Sequence, residues 1–134
     1  MRVIIAGGRG WAPDSELWGP LVRDILRLLK ATEVVSGACR ANGPHERASG
    51  ADGFGEYQAE VMNLPVTRFY YRRELGRRGG PVRNEEAARY TAAGPGRGAA
   101  ILLPGDRGTE SMFRCAKAAS LGVIDLRGLE VRRA

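Results

Sequence analysis

Five short apolar runs, four stretches of helical periodicity between them and glycine-rich turns after the runs predict an α/β fold. The expected architecture is a single Rossmann-like three-layer domain, residues 1–134, with a parallel sheet of about five strands. The alternation β-α-β-α-β-α-β-α-β calls for parallel strands covered on both faces, because each crossover helix packs back onto the sheet.

The elements follow in order. RVIIAGG, Arg2 to Gly8, is a β-branched run closed by glycines and reads as a buried strand. Pro13-Asp14-Ser15 starts a helix that carries Leu17, Leu21, Val22, Ile25, Leu28 and Leu29 at helical spacing. TEVVSG, Thr32 to Gly37, is a second strand. Ala38 to Asp52 is too polar and glycine-rich for core and reads as a loop. Phe54, Tyr57, Val61 and Met62 mark a second helix that closes near Asn63 and Pro65, and VTRFYY, Val66 to Tyr71, is a third strand. An arginine-rich loop leads to Pro81, placed in the first turn of a third helix that runs to about Ala93. Gly98 to Gly105 is a fourth strand, Thr109 to Leu121 a fourth helix, Val123 to Leu126 a fifth strand, and a basic tail with Arg132 and Arg133 follows.

Hydrophobic residues make up 43% and charged residues 27% of the 134, the balance of a globular domain large enough for a real core. No apolar run approaches the roughly 20 residues of a membrane span, and the apolar run at the start is too short for a signal peptide. A cytoplasmic protein is expected, with no membrane contact. Cys39 and Cys115 share no CxxC spacing, and with the lone His45 they form no zinc pattern; no metal and no cofactor are expected. Cys115 reads as a small core residue and Cys39 as an exposed loop residue. The net charge of +6 is almost wholly arginine, which points to an anionic partner or to compositional bias on a solvated surface.

In a doubly wound sheet ligands bind beyond the carboxyl ends of the strands. Four successive loops there carry glycines, arginines or hydroxyls: GGRGW, the SGACRANG…SGAD segment, the run from Arg72 to GGPVRN, and PGDRGT. Such loops suit a pocket that needs close backbone approach and positive charge. Taken in order, IIAGGRGW, VVSGACR…GAD, GGPVRNEEAARY and PGDRGTESM resemble the SLOG superfamily, specifically its YspA/YpsA-related branch. The superfamily has a Rossmann-like fold and includes the LOG phosphoribohydrolases and domains that bind nucleotides or nucleotide-derived signals.

Carried over by position, the resemblance implies that Gly7, Gly8 and Arg9 line the first loop and Ser36 and Gly37 the second. Asp52 would open the helix behind the second loop. Arg83 and Asn84 would face the ligand, and Gly105, Gly108 and Thr109 would cradle phosphate. Trp11 is open to base stacking or to packing. Two departures stand out. The LOG enzymes carry a glutamate three residues after the motif threonine, where this chain has Met112, and Glu110 lies on another face of the helix. The segment Arg40 to Ala48 is also longer than the usual loop and reads as a lid, a partner surface or a flap.

Three functions compete. The first is binding of a nucleotide or nucleotide-derived, phosphate-bearing ligand at the strand ends. The second is a nucleoside-monophosphate N-glycosidase or phosphoribohydrolase, with Glu110 and Asp52 as the candidate catalytic residues and Asp106 beside them. The third is nucleic-acid binding through the arginines. A homodimer or higher homo-oligomer is expected from the resemblance and from Phe54, Tyr57, Phe113 and Leu121, read as apolar helix surface.

Overall fold

The computed structural model describes residues 1–132, so Arg133 lies outside the described residues. The chain runs β1 (Arg2–Ala6), α1 (Ser15–Leu28), β2 (Glu33–Ser36), α2 (Gly50–Val61), β3 (Val66–Arg68), a 3₁₀ stretch (Arg73–Arg78), α3 (Gly79–Ala93), β4 (Ala99–Leu102), α4 (Arg107–Ala118) and β5 (Gly122–Asp125). The five strands form one all-parallel sheet in the order β3-β2-β1-β4-β5. The order grows outward from β1 in both directions, so the strand order reverses at β1.

Side-chain alternation along the strands divides the core into two layers. Val3 and Ile5 point to a cluster with Trp18, Val22 and Leu26 of α1 and Phe54 and Ala59 of α2. Ile4, Ala100 and Leu102 point the other way, to Ala87 and Ala88 of α3 and Met112 and Ala116 of α4. The three-layer α/β architecture is thus the one the sequence predicts. The second layer is built largely of alanine, which lets α3 and α4 lie close to the sheet. Close approach is also enforced by Gly55 of α2, where a Cβ would sit 2.8 Å from Ile5 Cγ2.

Element ends differ from the sequence reading in instructive ways. Helix α2 starts at Gly50, not near Phe54, and β3 stops at Arg68, which leaves Tyr70 and Tyr71 exposed beyond it. In α1 the buried face is Trp18, Gly19, Val22 and Leu26, while Leu28 is 83% exposed. Leu28 occupies an apolar slot in the helical spacing, but the last turn projects past the edge of the cluster. Phe54 and Leu121 are core residues, so two of the four residues read as apolar surface are not on the surface. Tyr57 and Val61 on α2 remain about half exposed. Cys39 is buried rather than exposed, Cys115 is half-buried, and both are free thiols. Among the described residues no helix is long and apolar enough to cross a membrane.

The long β2–α2 loop makes specific side-chain contacts. It is tied to its surroundings through one buried acid, Glu56 of α2, which is 3% exposed. Its carboxylate accepts from Ser36 Oγ at 2.7 Å, from Ala48 N at 3.3 Å and from the Arg68 guanidinium at 2.6 Å. Arg68 reaches on to the carbonyls of Gly43 and Glu46, at 3.0 and 2.9 Å. Four segments therefore meet at one carboxylate. Removing one partner of such a cluster leaves the others buried and unpaired. Glu56→Ala is expected to lower unfolding free energy by about 3 kcal/mol, and Glu56→Gln by clearly less, because the amide oxygen keeps an acceptor. Urea denaturation of both variants measures this, and equal costs would show that the charge carries the cluster.

Candidate functional site

A cleft of ≈ 980 Å³ opens at the carboxyl ends of the strands, where the loops after β1, β2, β3 and β4 meet. Of the residues the sequence selects, Gly7, Arg9, Gly37, Asp52, Arg83, Asn84, Gly108 and Thr109 line it. Four others do not. Ser36 is buried, with its hydroxyl donated to Glu56 and accepting the Ala38 amide at 3.0 Å. Glu110 faces the end of β5, where its carboxylate accepts from Arg127 at 2.7 Å, and it stands outside the cleft. Gly8 is buried behind the cleft wall, and Gly105 is exposed but outside the cleft.

The glycines of that wall serve loop packing. Gly8 N donates to Pro104 O at 2.9 Å, and a Cβ on Gly8 would sit 3.1 Å from Gly105 Cα. A Cβ on Gly105 would fall 1.9 Å from Thr109 Oγ1. Gly50 has φ +61°, and a Cβ there would meet Arg9 O at 2.3 Å. The glycine-rich turns thus dock the β1, β2 and β4 loops against one another.

The N-terminus of α4 is already capped. Asp106 Oδ1 accepts from Gly108 N at 3.0 Å, and Thr109 Oγ1 accepts from Asp106 N at 3.4 Å, a reciprocal capping box. The Asp106 carboxylate stands where an anion would sit on that helix. The cleft therefore offers cationic side chains rather than bare helix amides.

Asp52 sits in the first turn of α2 and is not its N-cap, which is Ser49. Its Oδ2 accepts from Cys39 N at 3.1 Å, inside the turn Gly37–Arg40. That turn is strained, since Ala38 and Arg40 both take positive φ, 52° and 60°. The Ser36 hydroxyl and the Asp52 carboxylate hold it there through the Ala38 and Cys39 amides. Opposite Asp52, Arg83 at the start of α3 donates from Nη1 to Gly37 O at 3.1 Å and from Nη2 to Asn84 Oδ1 at 3.3 Å. Asn84 passes the link to α4, donating to Ser111 Oγ at 3.2 Å. Arg83 Nε is buried with no hydrogen-bond partner among the described residues. Gly37 is the contact point of the pair, since a Cβ there would be 3.1 Å from Asp52 Oδ2 and 3.4 Å from Arg83 Cζ.

Burial pushes the Asp52 carboxyl up to about 6, against the pull of the Arg83 guanidinium and of the Cys39 and Gly37 amides. Met112, in the place of the LOG glutamate, lines the cleft without an acid. The other two acids on the lining, Glu74 and Asp106, are exposed.

Trp11 is not a stacking platform. It packs edge-on against Trp18 and Phe54, with ring centroids 5.0 and 5.3 Å away. His45 is exposed and lines a separate shallow depression with Glu46, Arg47 and Arg68, apart from Cys39 in the cleft. Among the described residues no group of three His, Cys, Asp or Glu side chains is placed to hold a metal. The structure also brings in residues that the motif reading passes over: Cys39, Arg40, Tyr70, Tyr71 and Arg107 line the cleft. Each lies within four residues of a strand or helix end, the one signal available in the sequence. Compared with protein-family models, curated protein sequences and solved structures, the chain gives no match.

The raised Asp52 pKa has a definite sign in stability. The folded state holds its proton up to about 6 while the ordinary carboxylate releases it near 3.8. The folded state therefore binds more protons between those values, and this contribution to stability is lost as pH rises from about 4 to about 6. Asp52→Asn removes the titration. Thermal unfolding of parent and variant is expected to show the parent losing ground to Asp52→Asn across that window and a constant difference above it.

Proposed function

We propose that the chain binds a nucleotide or nucleotide-derived, phosphate-bearing ligand in the cleft, as the SLOG resemblance implies. One observation carries the reading. Of the eighteen arginines between residues 2 and 132, six line the cleft: Arg9, Arg40, Arg73, Arg77, Arg83 and Arg107. Among the described residues none of the six is in an ion pair, whereas nine of the other twelve are. A chain that pairs its arginines elsewhere leaves those of the cleft outside its ion pairs, with only Arg83 facing an acid, Asp52, across Gly37. Guanidinium forks fit phosphate oxygens two at a time, so this is a surface suited to phosphate. Tyr70 and Tyr71 add exposed ring faces on the same lining, which suits a base.

A second reading, N-glycosidic hydrolysis of a nucleoside monophosphate, is favoured by Asp52. A carboxyl that protonates near 6 in a cationic cleft is matched to general-acid work. Glu110 supports no such role from its place beside Arg127.

The test is incubation of the full chain with a panel of nucleoside monophosphates and dinucleotides, read by calorimetry and by chromatography for free base. Intact bound ligand supports the binding reading. Released base that disappears in Asp52→Asn supports hydrolysis. Absence of any binding sinks both. Arg107→Gln is expected to weaken binding about tenfold, the loss of one charge-assisted hydrogen bond, while Arg132→Gln, remote and paired to Glu130, leaves it unchanged.

A further inference from the structure

We infer that the ligand of the cleft carries two separated anionic groups, one at each end of a nucleoside-sized spacer. The inference rests on the nucleotide reading and goes beyond it, because one phosphate cannot account for how the uncompensated charge is distributed.

Four of the cleft arginines, Arg9, Arg40, Arg77 and Arg107, have neither an ion-pair nor a hydrogen-bond partner among the described residues. The other two are held: Arg73 donates to Asn42 Oδ1 at 3.1 Å, and Arg83 is held by Gly37 and Asn84. The sheet order sorts the four free ones into two groups. Arg9 follows β1 and Arg107 opens α4 after β4, and those strands are neighbours. Arg40 follows β2 and Arg77 follows β3, again neighbours, on the other side of β1.

The outermost loops of this set, after β3 and β4, are three strand spacings apart, about 14 Å. A single phosphate, or a pyrophosphate whose two phosphorus atoms share an oxygen, lies well within that span. It would neutralise one pair and leave the other facing solvent. Elsewhere on the lining Arg83 is tied to Gly37 and Asn84 beside Asp52, and Asp52 and Asn84 offer an acceptor and an amide to the hydroxyls of a sugar or the ring nitrogens of a base. Two free arginine pairs on either side of β1, with these polar groups on the same lining, are the complement of two anions joined by a nucleoside.

Two sources supply that chemistry: a free nucleoside bisphosphate, or the terminal nucleotide of a short single strand with its flanking phosphates. The experiment is calorimetry on the full chain with adenosine and guanosine 5′-monophosphates, the matching nucleoside 3′,5′-bisphosphates, and the 5′-phosphorylated dinucleotides. It is repeated on two double variants, Arg9→Gln/Arg107→Gln and Arg40→Gln/Arg77→Gln. All four side chains are exposed, so both variants are expected to fold, and circular dichroism checks this. A two-ended ligand should bind at least tenfold tighter than its monophosphate. Each double variant should lower that affinity at least tenfold, while monophosphate binding should respond to one variant only. Preference for the bisphosphate identifies a small molecule, and preference for the dinucleotide a strand end. Equal affinity for mono- and bisphosphates, or sensitivity to one pair alone with every ligand, overturns the two-ended site and leaves nucleotide binding standing. Failure of all the phosphorylated nucleosides to bind removes the nucleotide reading itself.

Discussion

The buried Glu56 carboxylate is the constraint on which the cleft depends. It lies at a seam where the end of β2, the long loop, α2 and β3 meet. An acid removed from water must find donors, and here the donors are Ser36, Ala48 and Arg68, one from each surrounding segment. Arg68 then spreads the same charge onto two loop carbonyls. The consequence reaches the cleft through Ser36. Its hydroxyl gives a proton to Glu56 and takes the Ala38 amide, which helps hold Ala38 at positive φ. The strained turn that carries Cys39 and Arg40 to the cleft wall is thus set from behind, by a group that never touches the cleft.

Asp52 plays the complementary part on the cleft side. It sits one helical turn before Glu56, on the same face of α2. One acid holds the loop from inside and the other holds its first turn from the cleft. The two differ in their surroundings. Glu56 meets a guanidinium at 2.6 Å, whereas Asp52 meets backbone amides and sees Arg83 only across Gly37. Burial therefore dominates at Asp52 and raises its pKa. The helix that braces the loop also delivers a titratable group to the floor of the site.

Much of this was legible in the sequence. Strand and helix identity follows from the two hydrophobic periods, and the parallel three-layer sheet follows from their alternation. Arg83, Asn84 and Asp52 were legible through the motifs that resemble the SLOG superfamily, each near the start of a helix. What was hidden has physical causes. The role of Ser36 depends on Glu56, twenty residues away, and no local pattern announces a polar contact of that range. Tyr70 and Tyr71 look like strand residues, because aromatic residues favour strands, yet pairing with β2 stops at Arg68. Gly8 and Gly105 read as room for a ligand, and the room is taken by the neighbouring loop. The PGDRGT segment reads as a phosphate turn, but its own aspartate completes the helix cap. The same residues serve a cap or an anion site, and only the side-chain contacts decide between them.

The distribution of charge carries the functional argument further than any single motif. Composition shows only that arginine is abundant, which fits a compositional bias as well as a site. The structure separates the two. An arginine excess spread by bias alone would meet the acids in the same proportion everywhere on the surface. Instead the acids lie with the arginines of the outer faces, in pairs such as Arg47–Glu60, Arg72–Glu86 and Arg89–Glu85. In the cleft Asp52 accepts a backbone amide and faces Arg83 across Gly37, Asp106 caps α4, and Glu74 stands exposed on the same lining. Like charges held together without compensation repel, at a cost to folding that an anion would offset on binding. The fold turns Asp52 and Asp106 to the backbone and leaves four of the six cleft arginines without a partner among the described residues, and that division of roles is what supports the proposed binding site.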